Sequence, residues 1–150
     1  WYQWYFHTDR GRAGLQQNRR ALCRLLWRLW SPNWAFDDAT FDATAESFDN
    51  PDFVDVTLQS YRHRYGQAAG DPVLDALEAR LAAQPVIATP SIVLHGAEDG
   101  VGPAAQSETA ARHFTGPYER QVVPVAGHFL PRETPQPVID AVLRLRDRAP

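Results

Sequence analysis

Up to about residue 83, apolar positions recur at helical spacing. In "NRRALCRLLWRLW", Leu22, Leu25, Leu26 and Leu29 share one face, while Arg20, Arg24 and Arg28 fall on another. "SPNW" ends that helix, and "DATFDATAESF" predicts a short one after it. In "DNPDFVDVTLQSYRHRYG", Asn50 reads as an N-cap with Pro51 at the first helical position, and Val54, Leu58, Tyr61 and Tyr65 line one face. "GDPVLDALEARLAA" repeats the scheme, with Asp71 as cap, Pro72 following, and Leu74, Leu77 and Leu81 expected to face inward. From about residue 86 the pattern changes. "PSIVLHG" is a β-branched run closed by glycine, read as a buried strand, and "ERQVVPVA" is a second. Helices are predicted over "AAQSETAARHF" between them and "QPVIDAVLRLRDR" after them. The expectation is therefore a helical domain over 1–85 and an α/β domain over 86–150 whose strands pair in parallel. Two strands make a poor sheet, so further strands are expected upstream of residue 1.

Composition narrows the function classes. The 150 residues are 44% hydrophobic and 22% charged with a net charge of −3, which gives no electrostatic case for nucleic acid. All fifteen basic residues are Arg, and they do not gather into one stripe. A single Cys excludes an intrachain disulfide framework and fits a reducing compartment. The apolar runs are too short to cross a membrane and no signal peptide opens the chain, so a cytoplasmic location is expected. The chain carries no Met and begins "WYQWYF". Residue 1 is accordingly read as an internal position of a longer protein, of which this is the C-terminal part.

In open α/β sheets, functional groups collect in loops at the carboxyl ends of strands. One such loop, "HGAEDGVGP", carries Glu98 and Asp99; the other, "AGHF", carries His128. Each alone also reads as an ordinary turn residue. Together they place an acid about thirty residues before a base across one βαβ unit, the order in which α/β hydrolases carry acid and base after the nucleophile. A carboxylate there would fix the imidazole tautomer and stabilise its charged form. Asp99 is the favoured acid, with Glu98 as the substitute. No G-x-S-x-G is present, and "GAEDG" has only its glycine spacing. Cys23 inside an Arg/Leu helix reads as packing, and Ser91 opens a strand, so the nucleophile is expected before residue 1. His95 reads as support for the acid loop. His7, His63 and His113 have no ligand spacing, so neither metal nor cofactor is expected. Trp1, Trp4, Tyr5, Trp27, Trp30 and Trp34 are expected to fill the helical core, with some lining an apolar pocket.

These motifs resemble the C-terminal end of an α/β hydrolase preceded by the helical cap of the epoxide hydrolase branch. "WYQWYFHTDRG" is similar to that family's cap entry and "LQSYRHRYG" to its second cap motif; "HGAEDGVGP" and "GHFLPRETP" match its acid and histidine loops. The resemblance implies an α/β-hydrolase fold whose N-terminal half of the sheet lies outside this chain. It implies catalytic roles for Asp99 and His128. It also implies that Tyr2 and Tyr61 donate hydrogen bonds to an epoxide oxygen, although Tyr61 and Tyr65 also read as helix packing. The implied partners are a small apolar organic substrate and water, with no nucleic acid and no membrane. Without a nucleophile of its own, the 150-residue chain is expected to be inactive alone. A haloalkane dehalogenase or carboxylesterase on the same scaffold is the near alternative. A non-catalytic truncated product or helical interaction module is the distant one.

Overall fold

A computed structural model describes residues 1–147. Arg148, the end of the predicted last helix, lies outside the described residues. The chain forms two compact units, Trp1–Leu26 with Phe36–Ala79, and Trp27–Ala35 with the residues from Arg80 on.

The first unit is helical: α1 (Tyr2–Tyr5), α2 (Asp9–Gln17), the first turns of α3 (Arg19–Trp30), α4 (Asp38–Ala45), α5 (Phe53–Arg64) and most of α6 (Asp75–Ala82). Local chemistry sets the starts. Thr8 caps α2 by accepting from the Gly11 N–H at 2.9 Å, and Asp37 caps α4 by accepting from the Thr40 N–H at 2.7 Å. Phe6, Leu15, Phe41, Ala45, Phe48, Val54 and Leu58 form the buried core. The arginine face of α3 meets the acidic face of α4: Arg24 pairs with Asp38 at 2.5 Å, and its guanidinium lies 4.2 Å from the Phe41 ring centre. Arg20 reaches Asp42 and Asp49, each at 3.3 Å.

Several expectations change here. The chain makes a separate helix, α2, that the apolar pattern did not single out. α5 begins at Phe53, not beside Asn50; the Asn50 side chain instead accepts from the Asp52 N–H in an Asx turn, which postpones the helix by a few residues. Asp71 does cap a turn, but of a 3₁₀ segment, Pro72–Leu74. Leu74, Leu77 and Leu81 are exposed, not inward, because the apolar face they share is left uncovered among the described residues. Trp1 and Trp4 are exposed too, at 61% and 70%, and do not fill a core. Trp27, Trp30 and Trp34 belong to the second unit.

In that unit β1 (Ser91–Gly96) pairs in parallel with β2 (Tyr118–Val123), in register from Ser91 opposite Tyr118 to Gly96 opposite Val123. The strands are half-buried, with only Gly96 and Val123 fully buried, in contrast to the buried strand expected. Helices α7 (Leu130–Glu133) and α8 (Pro135–Arg146) follow, and Val123, Ala126 and Leu130 pack with Leu94 and Val138 as the local core. Arg144 anchors α8 to β2 through Glu119 at 2.7 Å and Gln121 at 3.3 Å. The helix expected over 104–114 is two 3₁₀ turns, Ala104–Ser107 and Ala110–His113. The Ser107 hydroxyl donates to the Ala104 carbonyl, the local competition by which serine weakens a helical ladder.

Candidate active site

The two strand-end loops meet. After β1 the chain turns through Ala97 and Glu98, whose amides donate to the carbonyls of Val123 and Ala126 at the exit of β2, both at 2.9 Å. No side chain fits at Gly96, where a Cβ would lie 2.3 Å from the Gly127 carbonyl oxygen. This close approach sets Asp99 beside the histidine loop. Its Oδ2 lies 3.0 Å from His128 Nδ1, while Oδ1 accepts from the N–H groups of Val101 at 2.7 Å and Gly102 at 3.3 Å. Burial is the largest influence on the carboxyl and works to raise its pKa. The hydrogen bonds from His128, Val101 and Gly102 outweigh it, and Asp99 lies below the usual carboxylate value. An ionised carboxylate only accepts, so a neutral His128 must carry its proton on Nδ1 and present a bare Nε2. The side chain of His128 is 39% exposed.

Glu98 is exposed, and it is Asp99 that touches the imidazole. His95 braces the acid loop: Nε2 contacts the Gly102 carbonyl and Nδ1 the Ser107 hydroxyl, each at 3.0 Å. Arg120 holds Ser107 in turn through Nε at 2.9 Å.

Three groups escaped the sequence reading. The Trp30 carbonyl accepts from the N–H groups of Gly100 at 3.0 Å and His128 at 3.1 Å. The buried Ser31 hydroxyl accepts from the His128 and Phe129 amides and donates to Glu133. Glu133 also takes the Gly127 amide at 2.8 Å and reaches back to the Phe129 amide at 2.9 Å. A glutamate in the first turn of a helix that follows Gly-His could have pointed to that reach-back, which resembles a capping box. Nothing local marked Ser31, which looks like a helix terminator. Around the loop, the Trp30 and His128 rings meet edge to face at 5.5 Å, and Trp27 stacks on Trp34 at 5.3 Å.

In the first unit, Tyr2 and Tyr61 also come together, their rings edge to face with centres 5.6 Å apart. Tyr2 is buried and Tyr61 half-buried. Burial, and then charge interaction and hydrogen bonding with Tyr2, push the Tyr61 hydroxyl up to about 12, so it is a proton carrier throughout the neutral range. Tyr65 donates to Gln3 at 2.5 Å and stacks on Trp4 instead of joining them. Cys23 is a half-buried thiol whose pKa burial raises to about 11, which makes it a poor nucleophile. Among the described residues no cluster of three His, Cys, Asp or Glu side chains could hold a metal ion, and no helix is long and apolar enough to cross a membrane.

A histidine oriented by a largely covered carboxylate at neighbouring strand ends is an arrangement able to carry acid–base chemistry. The crystal structure of a putative epoxide hydrolase from Klebsiella pneumoniae subsp. pneumoniae MGH 78578 superposes with a TM-score of 0.91 and is 44% identical, over 99% of this chain and 49% of that one. The present chain thus spans about half the length of the Klebsiella chain. No known family profile and no curated protein sequence matches it. In sequence and fold the chain is similar to that putative epoxide hydrolase.

Proposed function

We propose that this chain is the helical cap and C-terminal catalytic segment of an epoxide hydrolase-like α/β hydrolase. The carrying observation is the 3.0 Å pairing of Asp99 with His128, on loops after two parallel strands. In this reading 1–85 is the cap and 86–150 the end of the core. The nucleophile, an aspartate, comes from residues outside these 150, since no nucleophile motif occurs among them. The substrate is a small apolar epoxide, and the second reactant is water.

The chemistry balances without a cofactor. The carboxylate attacks a ring carbon, the C–O bond breaks, and the developing alkoxide takes a proton from a tyrosine hydroxyl. Tyr2 and Tyr61 supply that donor pair; the raised pKa of Tyr61 keeps it protonated, and an alkoxide is basic enough to take its proton. Water then loses a proton to Nε2 of His128 and attacks the ester, which releases the diol and restores the carboxylate; the proton on the imidazolium returns to the tyrosinate through solvent, and the site is reset. Asp99 stabilises the imidazolium while it lasts.

The test uses the chain joined to its upstream sequence. His128→Ala should form the alkyl-enzyme but not hydrolyse it, so mass spectrometry shows a stable adduct after exposure to an epoxide. Sustained turnover by that variant would refute the assignment. The 150-residue chain alone should show no turnover. One observation favours a halide-releasing relative instead: an indole, Trp30, lies edge-on to His128. Halide release from a haloalkane with no epoxide turnover would select that reading.

A further inference from the structure

Asp99 reaches His128 only if two loops keep one register, and both loops are tied to a single dipeptide. The Trp30 carbonyl takes Gly100 N–H from the acid loop and His128 N–H from the base loop. Its neighbour Ser31, 1% exposed, is the one buried polar residue among those described. Its oxygen accepts from the amides of His128 at 3.0 Å and Phe129 at 3.2 Å. With both amides donating to that oxygen, the hydroxyl proton goes outward, to Glu133 Oε1 at 2.5 Å. Glu133 then takes the Gly127 amide at 2.8 Å and the Phe129 amide at 2.9 Å. Three consecutive amides, those of Gly127, His128 and Phe129, are therefore held by one hydroxyl and one carboxylate. The fit is close. A Cβ on Gly127 would lie 2.6 Å from Ser31 Cα.

We propose that Ser31 is a positioning residue for His128, acting together with Glu133: the pair fixes the backbone of the histidine loop so that Nδ1 meets Asp99 and Nε2 stays free. The inference rests on the reading of His128 as the base. It assigns the turn after α3 a role in the site, where the sequence suggests only the end of a helix. A helix terminator would need no acceptor for two amides 97 and 98 residues away.

The experiment follows the His128 ring, in the chain joined to its upstream sequence, by ¹⁵N and ¹H NMR. The wild type should show a hydrogen-bonded Nδ1–H resonance and the Nδ1–H tautomer, assigned by its loss in Asp99→Asn. Ser31→Ala and Glu133→Gln should each keep the wild-type far-ultraviolet spectrum yet lose that resonance. Their double variant should do no more than either single change, because the two side chains act as one unit. If Ser31→Ala fails to fold, Glu133→Gln, of equal volume, decides by the same signal. An unchanged resonance in the folded variants overturns the proposal, as does its absence from the wild type. Epoxide turnover plays no part in this readout, so its failure would count against the proposed chemistry and not against the positioning pair.

Discussion

Replacing Asp99 by Asn changes one atom of the site and makes its electrostatics measurable. The two backbone donors on Oδ1, Val101 and Gly102, fix which way the new amide faces. Its oxygen must stay with them, so its NH₂ points at His128 Nδ1. That nitrogen must then accept, and the ring proton moves to Nε2, the atom a base needs bare. In comparable carboxylate–histidine pairs this tautomer change costs about 10⁴ in kcat. Stability changes as well. Two of the three bonds to Asp99 are short, at 2.7 and 3.0 Å. Losing the charge weakens each by about 1 kcal/mol, and relief of the burial penalty returns part of it, leaving a loss of about 1–2 kcal/mol. For a chain of this length that lowers Tm by about 2–8 °C. The sign with pH follows from the lowered carboxyl. Its stabilisation is present above the unfolded value of about 4 and is lost as pH falls through the folded value. Thermal melts of both chains between pH 8 and pH 2.5 should show a gap that is steady near neutrality and closes in acid. A gap that does not narrow as pH falls below about 4, or an Asn variant that is the more stable at pH 7, would refute this account of the site.

Phe41→Ala empties the core of the first unit and removes the ring under Arg24, and should cost about 3–5 kcal/mol in chemical denaturation. Leu77→Gln, on an exposed position that periodicity would bury, should stay within about 0.5 kcal/mol of wild type by the same measurement. Val125 is 65% exposed with φ at 66°, so Val125→Asn should raise stability by about 1 kcal/mol, read as a higher Tm. Tyr61 should give a late phase in an alkaline absorbance titration, missing in Tyr61→Phe; its folded pKa lies above the unfolded value, so its contribution is full below about pH 10 and is lost as pH rises towards about 12.

What the sequence made legible was local. The parallel strand pair showed in the change of apolar period, and Asp99 and His128 stood out because glycines mark the strand ends around them. Tyr2 and Tyr61 came only from resemblance, since a tyrosine on a helical face looks the same whether it packs or donates. Ser31 was invisible because its partners lie 97 to 102 residues away, and no local pattern encodes such distances. The exposed leucines of α6 failed for the converse reason: helical spacing reports which face is apolar, not whether anything covers it.

The strain at the exit of β2 also fits a site. Val125 is a β-branched residue in the left-handed region, a conformation that costs about 1–2 kcal/mol and persists only where the surroundings over-determine it. Here they do. Ala97 and Glu98 hold the Val123 and Ala126 carbonyls on one side, while Ser31 and Glu133 hold the next three amides on the other. Gly96 and Gly127 keep two contacts too close for any side chain. A turn that only reversed the chain would not need fixing from both sides. This one sets the imidazole of the next-but-two residue 3.0 Å from a carboxylate on the other loop. Relaxing Val125 should therefore raise Tm, and the His128 Nδ1–H signal should survive it, because the backbone there is held by Ser31 and Glu133 and not by the strain itself.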